Sequence, residues 1–159
     1  MAQSRGGGVY GFGAAPKLVA SHVNHNSAES GGGIMFHDAL FPLIEETMIR
    51  ENTATTGGAL YLLSTSSPEI QNSLIVDNQA TYGGGLYVRD VSTAVINYST
   101  FANNRAYSEG AGIYGSGVTE FTFRNGILWQ DGNEIVLGES DIPIVEYSNI
   151  PTPIVAIIQ

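Results

Sequence analysis

Glu51 and Asp77 are the residues whose type and spacing best suit acid–base chemistry in this sequence. They are 26 positions apart, and His25, Asn103 and Gln130 extend the same series at spacings of 26 and 27. Two carboxylates about 5 Å apart suit a retaining glycosidase, and carboxylate oxygens also suit Ca²⁺. The alternative is that both carboxylates are solvated surface groups, as exposed acidic residues usually are.

Four tyrosines form a second evenly spaced set, with Met35 filling one place in the series. They are Tyr10, Tyr61, Tyr87 and Tyr114. In a stack of strands about 4.8 Å apart they would make a flat, outward-facing aromatic stripe that stacks on sugar rings or peptides. Alternatively, the rings only stabilise neighbouring strands. These tyrosines are the candidate ligand-binding residues.

The three histidines do not form a convincing metal site. His22 and His25 are three residues apart, so in a strand they would point to opposite faces. His37 falls in a mixed polar series with Phe12 and Arg89. We predict no metal ligands among them, and Ca²⁺ is the only cofactor that the acidic residues leave open.

A repeat explains these spacings. A glycine-rich cluster followed by an apolar or aromatic pair begins at Gly6, Gly31, Gly57, Gly83 and Gly110. The successive spacings are therefore 25, 26, 26 and 27 residues. A period of this length is typical of solenoids, in which each repeat packs on its neighbours.

Asparagines follow the same period at a different phase. They are Asn26, Asn52, Asn78 and Asn104, and Asp131 follows 27 residues later. An apolar residue stands three positions before each of the five, from Val23 to Leu128. We expect the asparagines to form an internal ladder in which each amide bonds to the next, satisfying a buried polar group.

Each repeat contains short stretches of alternating apolar and polar residues, which indicate β-strands. In Leu86–Arg89, for example, Leu86 and Val88 would face inward while Tyr87 and Arg89 face outward. The sequence therefore predicts an all-β, right-handed parallel β-helix of about five full coils and a degenerate sixth. Two inward columns would form its core: Val9, Ile34, Leu60, Leu86, Ile113, and Leu18, Ile44, Ile70, Ile96, Phe123.

The repeats resemble those of polymorphic outer-membrane proteins, whose hallmarks are Gly-Gly-Ala-aliphatic and Phe-x-x-Asn. Gly57-Gly58-Ala59-Leu60 and Phe101-Ala102-Asn103-Asn104 match these hallmarks. The resemblance covers residues 5 to 150, with conservative variants in the other coils. It implies a right-handed β-helix in a secreted or cell-surface passenger segment, often adhesive. The signal peptide and membrane barrel of that family are not found in this sequence.

The last part of the chain departs from the repeat. We interpret residues 1–159 as one domain whose degenerate last coil and apolar tail occupy 134–159. Ile144–Ile150 resembles the strand region beginning at Val95, but Pro151-Thr152-Pro153 and an apolar tail follow it. The tail, Ile154–Ile158, either caps the solenoid or pairs with another chain.

Composition excludes several function classes. The net charge of −9, with only six scattered Lys and Arg residues, argues against nucleic-acid binding. The absence of cysteine excludes disulfides and thiolate metal sites. No apolar run is long enough for a transmembrane helix, so direct membrane insertion is not expected.

Three functional interpretations stay open. The first is a non-enzymatic surface or secreted solenoid with a structural or adhesive role, whose partner is a glycan or a host or cell-surface protein. The second is a carbohydrate-binding or carbohydrate-cleaving module, similar to a glycosidase or polysaccharide lyase. The third is a unit that assembles through its ends or its tail.

Overall fold

The structure is a computed structural model, and it describes residues 4–90, 92–117, 120–130, 133–138, 143–150 and the backbone of 155–156. Within these residues every regular element is a β-strand and every named strand pairs in parallel. No helix that could span a membrane occurs among them.

The first sheet has seven strands, one from each successive coil. They are β1 (Val9–Phe12), β4 (Ile34–His37), β7 (Leu60–Leu63), β11 (Leu86–Arg89), β15 (Ile113–Ser116), β18 (Ile135–Leu137) and β20 (Val155–Ala156). The register pairs equivalent residues of neighbouring repeats, for instance Leu60 with Leu86 and Tyr61 with Tyr87. The predicted columns are therefore confirmed at the level of single residues.

The second and third sheets have six and five strands. The second contains β2 (Lys17–Val19), β5 (Leu43–Glu45), β8 (Glu69–Gln71), β12 (Thr93–Asn97), β16 (Glu120–Arg124) and β19 (Pro143–Glu146). The third contains β3 (His22–Asn24), β6 (Met48–Arg50), β9 (Leu74–Val76), β13 (Thr100–Ala102) and β17 (Ile127–Trp129). Together with the first sheet they form the walls of a parallel β-solenoid of about five turns.

A fourth column of pairing, which we call the ridge, closes each coil between the third and first sheets. It comprises residues 27–30, 53–56, 79–82 and 105–109. Its only named strands in the described residues are β10 (Gln79–Tyr82) and β14 (Arg105–Glu109). Isolated parallel bridges, such as Ser27 with Thr53, link its other levels.

The core lies between the three sheets and consists of the predicted inward columns. Ile34, Leu60 and Leu86 are fully buried, as are their counterparts Ile44 and Ile70 in the second sheet. Stacking one aliphatic residue on the next removes apolar surface from water at every level of the solenoid. Burial is incomplete at Val9 and Leu18 in the first coil, and at Val145, which pairs with Phe123.

The asparagine ladder is present as predicted. The backbone N–H and the Nδ2 of Asn52 both donate to Oδ1 of Asn78, at 3.0 Å each. Nδ2 of Asn52 also donates to the Val23 carbonyl at 2.9 Å. The same arrangement joins Asn78 to Asn104. Each inner asparagine side chain thus bonds both to the next asparagine and to buried backbone groups of a neighbouring coil.

The prediction for the next rung was wrong. Gln130, which the spacing assigned to the outward series after Asn103, is buried, and its Oε1 accepts the Asn104 N–H. Gln130 is two positions after Leu128, whereas Asn104 is three positions after Phe101. Because glutamine has one more methylene than asparagine, its side chain reaches the ladder from a position one residue earlier in the repeat. Asp131, which the spacing assigned to the ladder, lies outside the described residues.

A second polar ladder runs along the corner between the second and third sheets. It consists of Ser21, Thr47, Ser73 and Ser99. The N–H of Thr47 donates to the Ser73 hydroxyl at 3.1 Å, and the N–H of Ser73 donates to the Ser99 hydroxyl at 3.1 Å. The Ser73 hydroxyl in turn donates to the Gln71 carbonyl at 2.8 Å. This ladder was not predicted, although its 26-residue spacing is visible in the sequence.

Glycines are required where the ridge turns into the first sheet. Gly83 has a φ of +65°, a left-handed conformation that glycine adopts without strain. A Cβ on Gly84 would stand 2.6 Å from the Arg105 carbonyl oxygen and 2.7 Å from that of Ala111. The glycine clusters therefore let adjacent coils approach at this corner, and they fix the angle between the ridge and the first sheet.

The end of the chain continues the first sheet. Val155 pairs with Val136, and Ala156 pairs with Leu137. The backbone of these two tail residues therefore extends the first sheet of its own chain. The remaining tail residues lie outside the described part of the chain.

Candidate functional site

An open groove of about 460 Å³ lies between the ridge and the outward face of the first sheet. The ridge contributes Glu29, Ser30, Thr55 and Thr56, and the sheet contributes Met35, Tyr61 and Tyr87. Arg89 and Asp90 line it where β11 ends, and Arg5 lines it in the first coil. Its lining residues come from four successive coils, so it runs roughly 14 Å along the solenoid at the usual strand spacing.

The groove floor follows the tyrosine column, but the column is not uniformly exposed. Met35 and Tyr61 are buried, at 1% and 6% exposure, whereas Tyr10 at the first coil is 44% exposed. Tyr87 and Tyr114 are half-buried. The candidate ligand-binding tyrosines therefore divide into one buried ring, two partly accessible rings and one exposed ring at the end.

The rings do not form the single flat stripe that the spacing predicted. Tyr87 and Tyr114 stack, with centroids 5.0 Å apart and planes 22° apart. Tyr61 instead stands edge-on to Tyr87, at 4.9 Å and 87°. Its buried ring cannot stack on a ligand, because its face lies against neighbouring side chains. The accessible aromatic platform is the pair Tyr87 and Tyr114.

Arg89 joins the tyrosine column to the charged end of the groove. Its guanidinium lies beside the Tyr61 hydroxyl and interacts with it electrostatically. Its Nε also lies 3.5 Å from Oδ2 of Asp90. Arg89 is thus oriented by two partners while about half of its side chain stays exposed. Arg5 lies close enough to influence the Tyr61 hydroxyl electrostatically.

The groove tyrosines are neutral hydrogen-bonding groups. Burial, together with the neighbouring Tyr61 and Tyr114, raises the pKa of Tyr87 to about 12. Burial also raises the pKa of Tyr61, against the opposing effect of the Arg89 guanidinium. Burial, followed by the nearby Glu109 carboxylate, raises the pKa of Tyr114. At neutral pH each hydroxyl can donate and accept one hydrogen bond.

Glu51 and Asp77 lie in adjacent coils at the corner after the third sheet, as predicted. Neither is among the residues that line the groove. Oε2 of Glu51 lies 2.8 Å from Nε2 of His25, and Asp77 is exposed. Both residues have positive φ, of +54° and +57°, which places them at the turn itself. The two residues therefore occupy equivalent positions in one column at this corner.

The histidines do not meet in the structure. His22 lies in β3 and His25 at the following corner, while His37 ends β4 and packs edge-on to Phe12 at 5.0 Å. Among the described residues, no group of three or more histidines and acidic residues is arranged to hold a metal ion.

The ridge wall of the groove was missed by sequence reasoning. Glu29, Thr55 and Thr56 show no alternation typical of a strand, and in the described structure they are held by isolated bridges and by hydrogen bonds between coils. The Thr55 and Thr56 N–H groups both donate to the Glu29 carbonyl. They stand one or two positions before the glycine clusters, and this placement was the available signal.

Comparison with known protein families assigns this solenoid to one of them. The model of the right-handed β-helix region matches residues 1–146, so the chain belongs to the right-handed β-helix family. The predicted handedness agrees with this match. No curated protein and no solved structure matches the chain significantly.

Proposed function

We propose that the chain is a non-catalytic binding module of a secreted or cell-surface protein, and that its groove binds an extended carbohydrate chain. The observation that carries this proposal is the stacked pair of Tyr87, which lines the groove beside the Arg89 guanidinium, and Tyr114, which lies one coil beyond the lining residues. Aromatic faces pack on the apolar faces of sugar rings, and neighbouring polar groups bond to the hydroxyls.

The shape of the groove supports a polymer rather than a small molecule. It is open to solvent and crosses four coils, so a chain lying along the solenoid axis would contact equivalent positions at each level. Threonine hydroxyls line the ridge side and tyrosine hydroxyls the sheet side. Such neutral donors and acceptors suit the many hydroxyls of a polysaccharide.

The charge of the groove differs from that of the whole chain. Arg5 and Arg89 balance Glu29 and Asp90 within it, although the chain has a net charge of −9. An approaching polysaccharide therefore meets a locally balanced surface. A protein partner for adhesion stays the alternative occupant, because aromatic and arginine side chains are also favoured at protein interfaces.

The secreted or surface location rests on the resemblance of the repeats to those of polymorphic outer-membrane proteins, carried by Gly57–Leu60 and Phe101–Asn104. Antibody labelling of intact cells of the source organism tests it. Labelling only after permeabilisation would contradict this part of the proposal.

Binding is tested with an array of neutral and acidic polysaccharides, followed by calorimetric titration of any that bind. We expect Tyr87→Ala combined with Tyr114→Ala to weaken binding at least about tenfold, by the loss of stacking energy on both rings. Tyr98→Ala is the matched control, because Tyr98 is an exposed tyrosine at the corner between the second and third sheets. Equal binding by the double variant and the control would overturn the proposal, as would an array without any ligand.

Cleavage is separated from binding by following reducing ends and unsaturated products over time. Glu51→Gln with Asp77→Asn tests the glycosidase alternative, because these substitutions remove both carboxylates with little change in shape. Products formed by the native chain and lost in this variant would contradict the non-catalytic proposal. A shift of melting temperature on adding Ca²⁺ that the same variant abolishes would identify a calcium site.

A further inference from the structure

We propose that Tyr87 and Tyr114 form an oxidative cross-linking site, at which a one-electron oxidant joins the two rings through a carbon–carbon bond. The oxidant is a separate molecule, such as a peroxidase supplied with hydrogen peroxide. The product is dityrosine, which would tie the fourth coil covalently to the fifth. This inference does not depend on carbohydrate binding, because it concerns the bonding between the two rings and not a ligand of the groove.

The strand register holds the two rings next to each other. Tyr87 and Tyr114 are paired positions of β11 and β15, so both point to the outer face at the same place in successive coils. Their ring centroids are 5.0 Å apart, and their planes differ by 22°. Leu86 and Ile113, the preceding residues on the two strands, are fully buried and anchor the backbone that carries the rings. The rings are therefore held in a stacked arrangement before any reaction begins.

The angle between the rings distinguishes this pair from its neighbours. A tyrosine that loses an electron and its hydroxyl proton carries an unpaired electron, which spreads onto the ring carbons beside the oxygen. The orbital of that electron is perpendicular to the ring, so two rings that face each other overlap best. Tyr61 and Tyr87 are equally close, at 4.9 Å, but they are edge-on at 87°. Tyr82 and Tyr114 are further apart, at 5.5 Å, and are tilted by 56°.

The cross-link requires the removal of two electrons and two protons. Burial raises the pKa of both hydroxyl groups, so each is protonated at neutral pH and releases its proton when the ring is oxidised. The two unpaired electrons then form the carbon–carbon bond. The hydrogens on the two bonded carbons leave as protons, and the two oxygens each regain a proton, so both phenols re-form. Hydrogen peroxide takes up the two electrons and two protons and becomes water.

The pair is accessible, but it differs from the exposed tyrosines. Tyr87 and Tyr114 are half-buried, and Tyr87 lines the open groove. Tyr98 and Tyr147 are more exposed, at 60% and 87%. In the described part of the chain no other tyrosine ring packs on either of them. Oxidation at these exposed positions should therefore give cross-links between chains, whose yield falls on dilution.

The cross-link would reinforce the stack of coils. Tyr87 and Tyr114 are 27 positions apart in the sequence. A covalent link between them restricts the unfolded chain more than the folded one, in which the two strands are already paired. The oxidised chain should therefore melt several degrees higher than the native chain. Thermal scans before and after oxidation measure this shift.

Oxidation of a dilute solution by peroxidase and hydrogen peroxide tests the site, with dityrosine fluorescence and mass spectrometry as readouts. Cleavage after arginine leaves Tyr61, Tyr82 and Tyr87 in peptide 51–89 and Tyr114 in peptide 106–124. We expect these two peptides to be joined, with a mass lower by two hydrogen atoms than their sum. Fragmentation should locate the link at Tyr87 and Tyr114. The yield should be independent of dilution, and most of it should be lost in urea.

Conservative variants identify the reacting rings. Tyr87→Phe and Tyr114→Phe should each abolish this link, because phenylalanine keeps the ring but has no hydroxyl proton to lose. Tyr61→Phe and Tyr82→Phe are the matched controls, since both rings pack against the pair, and they should retain it. Circular dichroism shows whether each variant is folded.

Three results would overturn the inference. They are the absence of dityrosine, dityrosine found only between chains, and a link from Tyr61 to Tyr87 as abundant as that from Tyr87 to Tyr114. The last result would show that the angle between the rings does not select the partner. None of these outcomes bears on the carbohydrate proposal, because no polysaccharide is present.

Discussion

On β7 and β11, Leu60 and Leu86 point inward and are fully buried, while Tyr61 and Tyr87 on the same strands point to the outer face. The inward residues and the two polar ladders repeat nearly unchanged from coil to coil. On the outer face, the same register brings together a buried ring, a stacked pair and an arginine, each in a different setting. The inner face thus maintains the stack, whereas variation on the outer face makes one stretch of the groove unlike the next.

This difference has a physical basis. An inward side chain has neighbours above, below and across the core, so a change of size or polarity leaves a cavity or an unpaired group. An outward side chain contacts protein on one side only, so its substitution removes fewer contacts. Water can also replace its hydrogen bonds. Substitutions should therefore be much more damaging on the inner face than on the outer face of one strand.

Asn78→Ala should give the largest loss of stability. The N–H and Nδ2 of Asn52 would lose their acceptor, and the Ile49 carbonyl would lose its donor, all in a fully buried position. Several buried groups left unpaired correspond to a loss of about 4 kcal/mol. Urea denaturation measures the free energy of unfolding. Asn26→Ala is the control, and it should lose far less because Asn26 is only partly buried.

Gly84→Ala should be nearly as damaging, although it adds only one methyl group. Its Cβ would overlap the carbonyl oxygens of Arg105 and Ala111, which belong to the tightly packed corner of the next coil. Separating the coils there should lower the free energy of unfolding by about 3 kcal/mol. Gly13→Ala, where a Cβ has no neighbour within 4 Å but φ is +58°, should lose only about 1 kcal/mol. Equal losses would show that steric overlap is not the cause.

Ser73→Ala tests the second ladder with a smaller expected effect. The substitution removes the acceptor for the Thr47 N–H and the donor to the Gln71 carbonyl. We expect a loss of about 2 kcal/mol. Ser73→Thr should restore most of the stability, because Thr47 makes the same contacts one coil earlier. If threonine is no better than alanine, the ladder contributes little.

Most of these inward-facing features could be predicted from the sequence. The repeat predicts the register of the columns, the inward side chains and the asparagine ladder, because a 26-residue period leaves little choice of partner. The serine ladder carries the same signal at Ser21, Thr47, Ser73 and Ser99. Gln130 was misplaced because the last coils change length, and a single omitted residue moves a side chain to the other face.

The groove could not be predicted from the repeat period. Its walls depend on the angle at the Gly83 corner and on the direction of individual long side chains. The electrostatic interaction of Arg89 with Tyr61 joins residues of neighbouring coils at different phases of the repeat. The edge-on arrangement of Tyr61 likewise follows from local packing, which equal spacing does not encode.

Glu134→Gln should change how stability depends on pH. Glu134 is fully buried, its Oε1 accepts the Gln130 N–H, and burial raises the pKa of its carboxyl group above the ordinary glutamate range. The folded state therefore holds the proton more tightly than the unfolded state. This contribution is complete below the unfolded pKa and is lost as pH rises towards the folded pKa.

Glutamine retains an acceptor oxygen but has no charge to bury. The melting temperature of Glu134→Gln should therefore exceed that of the native chain at neutral pH, and the difference should shrink in acid. Thermal scans at several pH values measure it. A difference that grows in acid would show that Glu134 is stabilised as a carboxylate instead.

Tyr61→Phe should have the smallest effect on stability. It tests the interactions between side chains on the outer face. It removes the hydroxyl that lies beside the Arg89 guanidinium while keeping the ring against Tyr87, so a loss of about 1 kcal/mol or less is expected. Because the Tyr61 hydroxyl contributes to raising the pKa of Tyr87 to about 12, that pKa should fall in the variant. Titration of tyrosine absorbance in alkali measures it, with Tyr98→Phe at the exposed corner as control. If the Tyr87 pKa does not change, the Tyr61 hydroxyl does not contribute to it.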